Sequence, residues 1–365
     1  TWGIDPERLY ATVFETDDEA YKIWTKYLPE SRIQRHGAKD NFWEMGETGP
    51  CGPSSEIHFD STPDKSGGPL VNAGVPEVIE VWNLVFIQHN RKPDGTLEDL
   101  PQQHVDTGMG FERIAAVLQG KSSNYDTDVF QPLIAFTEDL CGKTYNPDLG
   151  DPDGIAMRVI ADHVRTLSFA IADGAVPGNE GRSYVLRRIL RRGARYARNL
   201  GLTEPVLWKH VDVLVKTMGD VFPELQEHQA LIEKVIRTEE EQFLTTLDNG
   251  RNELFNAWKA LIKRNVKVVG EATVTGLEDP QDPIHVVGPQ GNEFHFANAR
   301  ELSEELPTRV LPGAVAFKLY DTYGFPVDLT RIMAEEQGLK VDEDGFEKEM
   351  SAAKAKAKAS WKSKG

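Results

Sequence analysis

Cysteine is close to absent from this chain. Cys51 and Cys141 are the only two in 365 residues, too few for a disulfide framework and without metal-ligand spacing. Long apolar runs are missing as well: no stretch of about 18 apolar residues occurs, which excludes a membrane-spanning helix. The opening TWGIDPERLY has neither a basic nor an apolar region, so no secretory signal is expected. It also lacks an initiator methionine, and the chain reads as an internal piece of a longer protein. These absences point to an intracellular protein, cytoplasmic or mitochondrial. Positive charge is scarce too, with 41 Lys and Arg against 58 Asp and Glu for a formal net charge of −17. That balance argues against a broad, non-specific nucleic-acid coat, so any such contact has to be local.

What is present suits two or three domains with proper cores. Residues 1–138 read as mixed α/β. Alternating, β-branched segments such as SSEIHFD and VIEVWNLVFIQHNR predict strands, and DDEAYKIWTKYL predicts an Asp-capped helix. HVDTGMGFERIAAVLQG reads as strand end, glycine turn and helix, closed by Gly120. Residues 139–265 carry long helical periods. Residues 266–306 break them as a β-rich, turn-rich insertion, and 307–365 resume as a loop, a helix and a Lys/Ala-rich tail.

Three features could carry chemistry. In DTGMGFER, Gly108 and Gly110 permit close backbone approach to a ligand, and Arg113 lies one turn into the next helix, within reach of a phosphate or purine. Asp106 could hold an ammonium group; the plainer alternative is an Asp106–Arg113 salt bridge across the turn. In NFWEMGETGPCGPSSEIHFD, Trp43 is either core or the wall of a pocket. Asn83, inside the apolar VIEVWNLVFI, needs a partner if buried, unless it faces outward on an edge strand. Third, GRSYVLRRILRRGARYAR (181–198) holds seven arginines and no acid. On a helix, Leu186, Ile189, Leu190 and Ala194 or Ala197 share one face, while Arg188, Arg191, Arg192 and Arg195 fall largely on the other, with no acid for i,i+4 pairing. A phosphate backbone is the natural partner of such a face, and an ordinary solvated face is the alternative.

Five segments, KDNFWEMGETGPCGPSSEIHFD, VWNLVFIQHNR, VDTGMGFERIAAVLQGKSSNYDTDVF, GNEGRSYVLRRILRRGARYAR and LYDTYGFPVDLT, together resemble the alanyl-tRNA synthetases, a class II aminoacyl-tRNA synthetase family, in order and spacing. The resemblance implies an α+β fold: a class II antiparallel sheet with flanking helices, N-terminally truncated, followed by an α-helical tRNA-recognition domain with the β-rich insertion. It implies an alanine-tRNA ligase that uses ATP and Mg²⁺, forms alanyl-adenylate and transfers alanine to the 3′ end of tRNA(Ala). Trp43 would wall the alanine pocket, Asn83 would hold the carboxylate side, and Asp106 would bind the α-ammonium. Val85 and Gly108 would limit side-chain space, and Gly108, Gly110 and Arg113 would serve ATP. Arg182, Arg188, Arg191, Arg192 and Arg195 would grip the acceptor stem, where Asn179 and Asp321 match positions that read its G·U pair. For these two, a helix N-cap and a turn Asp are the plain alternatives.

The pattern also departs from the family. Motifs 1 and 2 and the editing domain, where the family's zinc is expected, are not found, and Ser54 stands after CGP where Cys is common. The isolated chain is therefore expected to make little alanyl-adenylate on its own. Two other readings are a non-catalytic RNA-binding fragment or synthetase-like regulator, and a generic ATP-dependent acid ligase, which would have no use for the arginine helix.

Overall fold

The computed structural model describes residues 2–269, 273–278, 281–287, 292–306 and 308–362, without the side chains of 248, 266–269 and 356–362. The chain divides into two compact units, Thr1–Pro132 and Leu133–Gly365.

The first unit is a six-stranded, mostly antiparallel sheet. Its strands are β1 (Leu9–Phe14), β2 (Ile33–His36), β3 (Phe42–Glu44), β4 (Gly49–Asp60), β5 (Val78–Arg91) and β6 (Leu97–Met109), in the order β2-β1-β4-β5-β6 with β3 paired to β4. Only β1 and β2 run parallel. Helix α1 (Asp18–Trp24) starts on an Asp17 side chain that accepts from Ala20 N–H, α2 (Ala38–Asn41) leads into β3, and α3 (Phe111–Leu118) follows β6. Ala11, Leu28 and Ile33 pack one apolar cluster; Tyr10, Val71 and Val78 pack another. Strand β6 is exposed along almost its whole length.

The crowded glycines and prolines of the 41–60 segment have a steric cause. Gly52 sits where β4 slips register against β5, between Cys51 and Ser54. A Cβ there would stand 1.9 Å from the Phe86 carbonyl oxygen, so only glycine permits this approach. Gly52 is also the register partner of Trp43, and the bulge therefore sets where Trp43 emerges.

The second unit is helical: α4 (Gln131–Cys141), α5 (Pro152–Ala172), α6 (Gly181–Asn199), α7 (His210–Met218), α8 (Pro223–Glu227) and the 41-residue α9 (Gln229–Val269). Trp258, Phe243, Phe325, Leu190 and Ile160 are fully buried among them. Three short strands, β7 (Thr273–Thr275), β8 (Ile284–Val287) and β9 (Glu293–Phe296), form a separate antiparallel sheet. Then come α10 (Ala299–Glu304), α11 (Gly313–Tyr323), α12 (Val327–Glu336) and α13 (Glu343–Lys362), with β10 (Val310–Leu311) and β11 (Lys340–Val341) paired in parallel.

Several element bounds differ from the sequence reading, α1 among them, which stops at Trp24 within DDEAYKIWTKYL. The long helix continues through Val269, past the break expected at 266. The helix expected over EPVLWKHVDVLVKTMGDVF becomes regular only at His210, after a 3₁₀ turn at Leu207–Lys209. The segment VAFKLYD, expected as loop, is helical in α11, which buries Ala316 and Leu319 and ends on Gly324 at φ +64°, a left-handed cap that glycine adopts freely.

Candidate active site and arginine helix

In an antiparallel ladder, directly opposed residues project to the same side. The registers of the first unit therefore assemble a site row by row. Thr12 on β1 opposes Glu56 on β4, Glu56 opposes Asn83 on β5, and Asn83 opposes Gly108 on β6. The neighbouring row runs Ser54, Val85, Asp106. A second slip, between Ile57 and His58, opposes His58 to Glu80 and returns Glu80 to this face.

Trp43, Asn83, Ser54 and Phe42 line one open cleft of about 640 Å³. Trp43 is 37% exposed, so it walls the cleft and is not core. Asn83 lies on an interior strand, not an edge, and its Oδ1 is buried without a hydrogen-bond partner among the described residues. Such an atom is costly to leave unpaired. Val85 is 9% exposed and is the register partner of Ser54.

Asp106 and Gly108 stand one strand away, both exposed; Asp106 Oδ1 accepts from Thr107 N–H. Arg113 makes no bridge to Asp106. Its guanidinium donates to the Glu80 carbonyl at 2.9 Å and lies 3.4 Å from the Glu80 carboxylate. Gly110 leads into α3 beneath the Arg113 stem: a Cβ there would come within 3.0 Å of Arg113 Cδ.

Around Glu56, the register partner of Asn83, lies a polar network that sequence reasoning did not find. Glu56, 6% exposed, accepts on Oε2 from Thr12 O–H at 2.9 Å and Asn72 N–H at 3.1 Å, with His58 Nε2 at 3.1 Å. Asn41 in turn donates to Thr12 at 2.9 Å, and Trp24 to Ser55 at 2.7 Å. Burial raises the Glu56 pKa, but the bonds from His58, Asn72 and Thr12 outweigh it, so the carboxyl stays below its ordinary range. A charged acid is thereby fixed on the strand beside Asn83. Polar residues at alternate positions of SSEIHFD were the one available signal.

In the second unit, α6 does not divide into one apolar and one arginine face. Arg195 is 6% exposed and pairs with Glu336 of α12. Arg191 pairs with Glu239 of α9 at 2.8 Å, donates to the Gly324 carbonyl and stacks over Phe243. Burial depresses the Arg191 pKa, and Glu239 opposes the shift. These two arginines face the interior, where acids from other helices replace the absent i,i+4 partners. Arg182, Arg188 and Arg192 are the exposed set. Asn179 is not an N-cap, since Glu180 occupies that position; its side-chain oxygen accepts from Arg187. Asp321 lies within α11, exposed, and not in a turn.

A family profile described as tRNA synthetases class II (A) matches residues 1–279 and 293–365. An alanine–tRNA ligase of Chlorobaculum tepidum is 54% identical over 365 residues, which is all of this chain and 36% of that protein. The alanine–tRNA ligase of Chlorobium phaeobacteroides is 52% identical over 359 residues, covering 98% of this chain and 36% of its own length. That of Porphyromonas gingivalis is 45% identical over 370 residues, covering 98% and 37%. The chain thus spans little more than a third of the curated relatives it matches.

Proposed function

The chain belongs to the class II (A) tRNA synthetases, and on that premise we propose that it carries the alanine pocket and the tRNA-contacting helices of an alanine–tRNA ligase. The observation that carries this reading is that Trp43 and Asn83, with its unpartnered amide oxygen, line one cleft.

Alanine enters with its methyl group toward Val85 and Gly108. Asn83 donates an amide N–H to the carboxylate end, its orphaned oxygen accepts from the α-ammonium, and Asp106 receives the charge of that ammonium. The reaction is then one of placement: a carboxylate oxygen of alanine attacks the α-phosphorus of ATP, the bond to the bridging oxygen breaks, and pyrophosphate leaves. A ribose hydroxyl at the tRNA 3′ end attacks the alanyl carbonyl in turn, and AMP departs. Positioning and charge stabilisation supply the acceleration, since no side chain has to shuttle a proton over a long path.

The residues present fit ATP and its magnesium. A Cβ at Gly108 would meet nothing within 4 Å, so backbone there is open to a nucleotide, and Arg113 is half exposed beside it in sequence. Glu80, next to the Arg113 guanidinium, offers hard carboxylate oxygens for the ion. Magnesium, when bound, offsets phosphate charge. On the helical unit, Arg182, Arg188 and Arg192 serve the acceptor-stem phosphates, with Asn179 and Asp321 as readers of the G·U pair. Arg191 and Arg195 hold the helices that present them.

The test is calorimetric binding of non-hydrolysable aminoacyl-adenylate analogues to this chain. The alanyl analogue is expected to bind tightest and the seryl analogue within about a hundredfold, because one added hydroxyl is poorly excluded. The valyl analogue is expected not to bind, and Asn83→Ala should abolish the preference. Equal binding of alanyl and valyl analogues overturns the proposal.

A further inference from the structure

His285 on β8 and His295 on β9 are direct register partners, and Glu293 lies two residues before His295 opposite Val287. The period-two alternation of a strand puts His285, Glu293 and His295 on one face of the small sheet. Ile284, at the adjacent position, is buried. The two imidazoles stack with centroids 4.2 Å apart and planes within 5°. His285 Nε2 lies 3.5 Å from Glu293 Oε2, and His295 Nε2 lies 3.9 Å from the same oxygen. One ligand atom from each of the three residues falls within 4.8 Å of the others.

We propose that His285, Glu293 and His295 form a transition-metal site of the two-histidine, one-carboxylate type. Tetrahedral zinc with bonds of about 2.0–2.2 Å holds its ligand atoms roughly 3.3–3.6 Å apart. The His285–Glu293 pair already has that spacing, and the remaining contacts close by rotation of an exposed histidine. A second observation points the same way: His285 Nε2 is buried and has no hydrogen-bond partner among the described residues, and the Glu293 carboxylate stands 3.5 Å from it, at ligand-pair spacing. Imidazole with carboxylate selects zinc, nickel or copper over magnesium or calcium. The site is therefore distinct in kind from any that serves nucleotide phosphates. His285 lies between the stretches matched by the family profile, and Glu293 and His295 lie at the start of the second. Three ligands from β8 and β9 would tie the two strands together and leave a fourth position open to water.

The experiment titrates Zn²⁺ into the full chain against a competing chromophoric chelator, with Mg²⁺ as control and Co²⁺ as optical probe. One equivalent of Zn²⁺ is expected to bind, Mg²⁺ is expected not to compete, and Co²⁺ should show the visible bands of a tetrahedral nitrogen–oxygen site. Loss of an outer partner already costs metal sites about ten- to a hundredfold. The double substitution His285→Ala with His295→Ala should therefore weaken binding by at least about a hundredfold. Glu293→Gln, at an exposed position on β9, should weaken it by at least about tenfold with unchanged thermal denaturation. No Zn²⁺ equivalent in the unaltered chain, or equal affinity in the Glu293→Gln variant and the unaltered chain, overturns the proposal.

Discussion

Gly108 stands directly opposite Asn83 across the β5–β6 ladder, and the space where its side chain would project is empty. A side chain at 108 would rise over the Asn83 amide from the neighbouring strand. Gly108→Ala meets no steric contact within 4 Å, so its effect on stability is expected to stay within about 1 kcal/mol. Binding of the alanyl-adenylate analogue should nevertheless fall at least about tenfold, because the added methyl takes the room of the ligand's own. Thermal denaturation and calorimetry on the same sample separate the two effects. Unchanged affinity would mean that the ligand does not pass over residue 108.

Glu56 gives the second prediction. Removing its carboxylate leaves Thr12, Asn72 and His58 without their shared acceptor. Glu56→Ala is expected to cost about 3 kcal/mol at pH 7. Its folded pKa is lowered from 4.5, so the ionised form contributes stability above pH 4.5 that is lost as pH falls through the folded value. The stability difference between the unaltered chain and Glu56→Gln should therefore shrink in acid. Urea denaturation at pH 7 and pH 3.5 checks this, and a difference that does not change with pH refutes it.

The uneven legibility of these features has a physical pattern. Strands β4 and β5 and helix α1 could be read because their signals are local: alternation, β-branching, and an Asp cap one residue ahead of the helix. Trp43 and Asn83 could be named as candidates, but whether they share a cleft depended on the slip at Gly52, which is a cross-strand property. The Glu56 network joins residues 44 and 16 positions apart. Likewise, Arg191 and Arg195 looked unpaired because their acids are 48 and 141 residues away in sequence. Helix α11 escaped notice because its buried positions are few and the following Gly-Phe-Pro suggested a loop.

The arginine helix should separate into two functional groups. Arg195→Ala breaks a pair whose arginine is buried and is expected to destabilise the helical unit by about 2 kcal/mol. Arg182→Ala, Arg188→Ala and Arg192→Ala should each change stability by less than about 0.5 kcal/mol. Each should weaken tRNA binding and reduce the slope of log affinity against log salt by roughly one. Fluorescence anisotropy at three salt concentrations measures this, and salt-independent binding would remove phosphate contact as the role of these three residues.

The last prediction concerns the turn at Val206 and Leu207, where two buried titratable groups meet. Glu240 accepts from Val206 N–H at 3.1 Å and Leu207 N–H at 3.0 Å, while His210 Nδ1 lies 3.2 Å from the Val206 carbonyl. Burial raises the Glu240 pKa from 4.5 to about 7, against the opposing pull of the two N–H groups. The folded chain therefore holds that proton more tightly than the unfolded chain. This contribution is fully present below pH 4.5 and is lost as pH rises to about 7, by about 3 kcal/mol. Burial lowers the His210 pKa from 6.5 to about 4, against its bond to Val206. Its contribution runs the other way: present above pH 6.5 and lost as pH falls to about 4, again by about 3 kcal/mol. In the unaltered chain the two slopes oppose each other between pH 4.5 and 6.5, so protection there should vary little with pH. Glu240→Gln unmasks the histidine, and the turn should become more stable from pH 5 to 7. His210→Gln unmasks the carboxyl, and the turn should become less stable over the same range. Hydrogen exchange at the Val206 and Leu207 amides, corrected for intrinsic rates, reads this turn directly. Parallel pH profiles for the two variants would show that the groups titrate at their ordinary values, and the opposition between them would be lost.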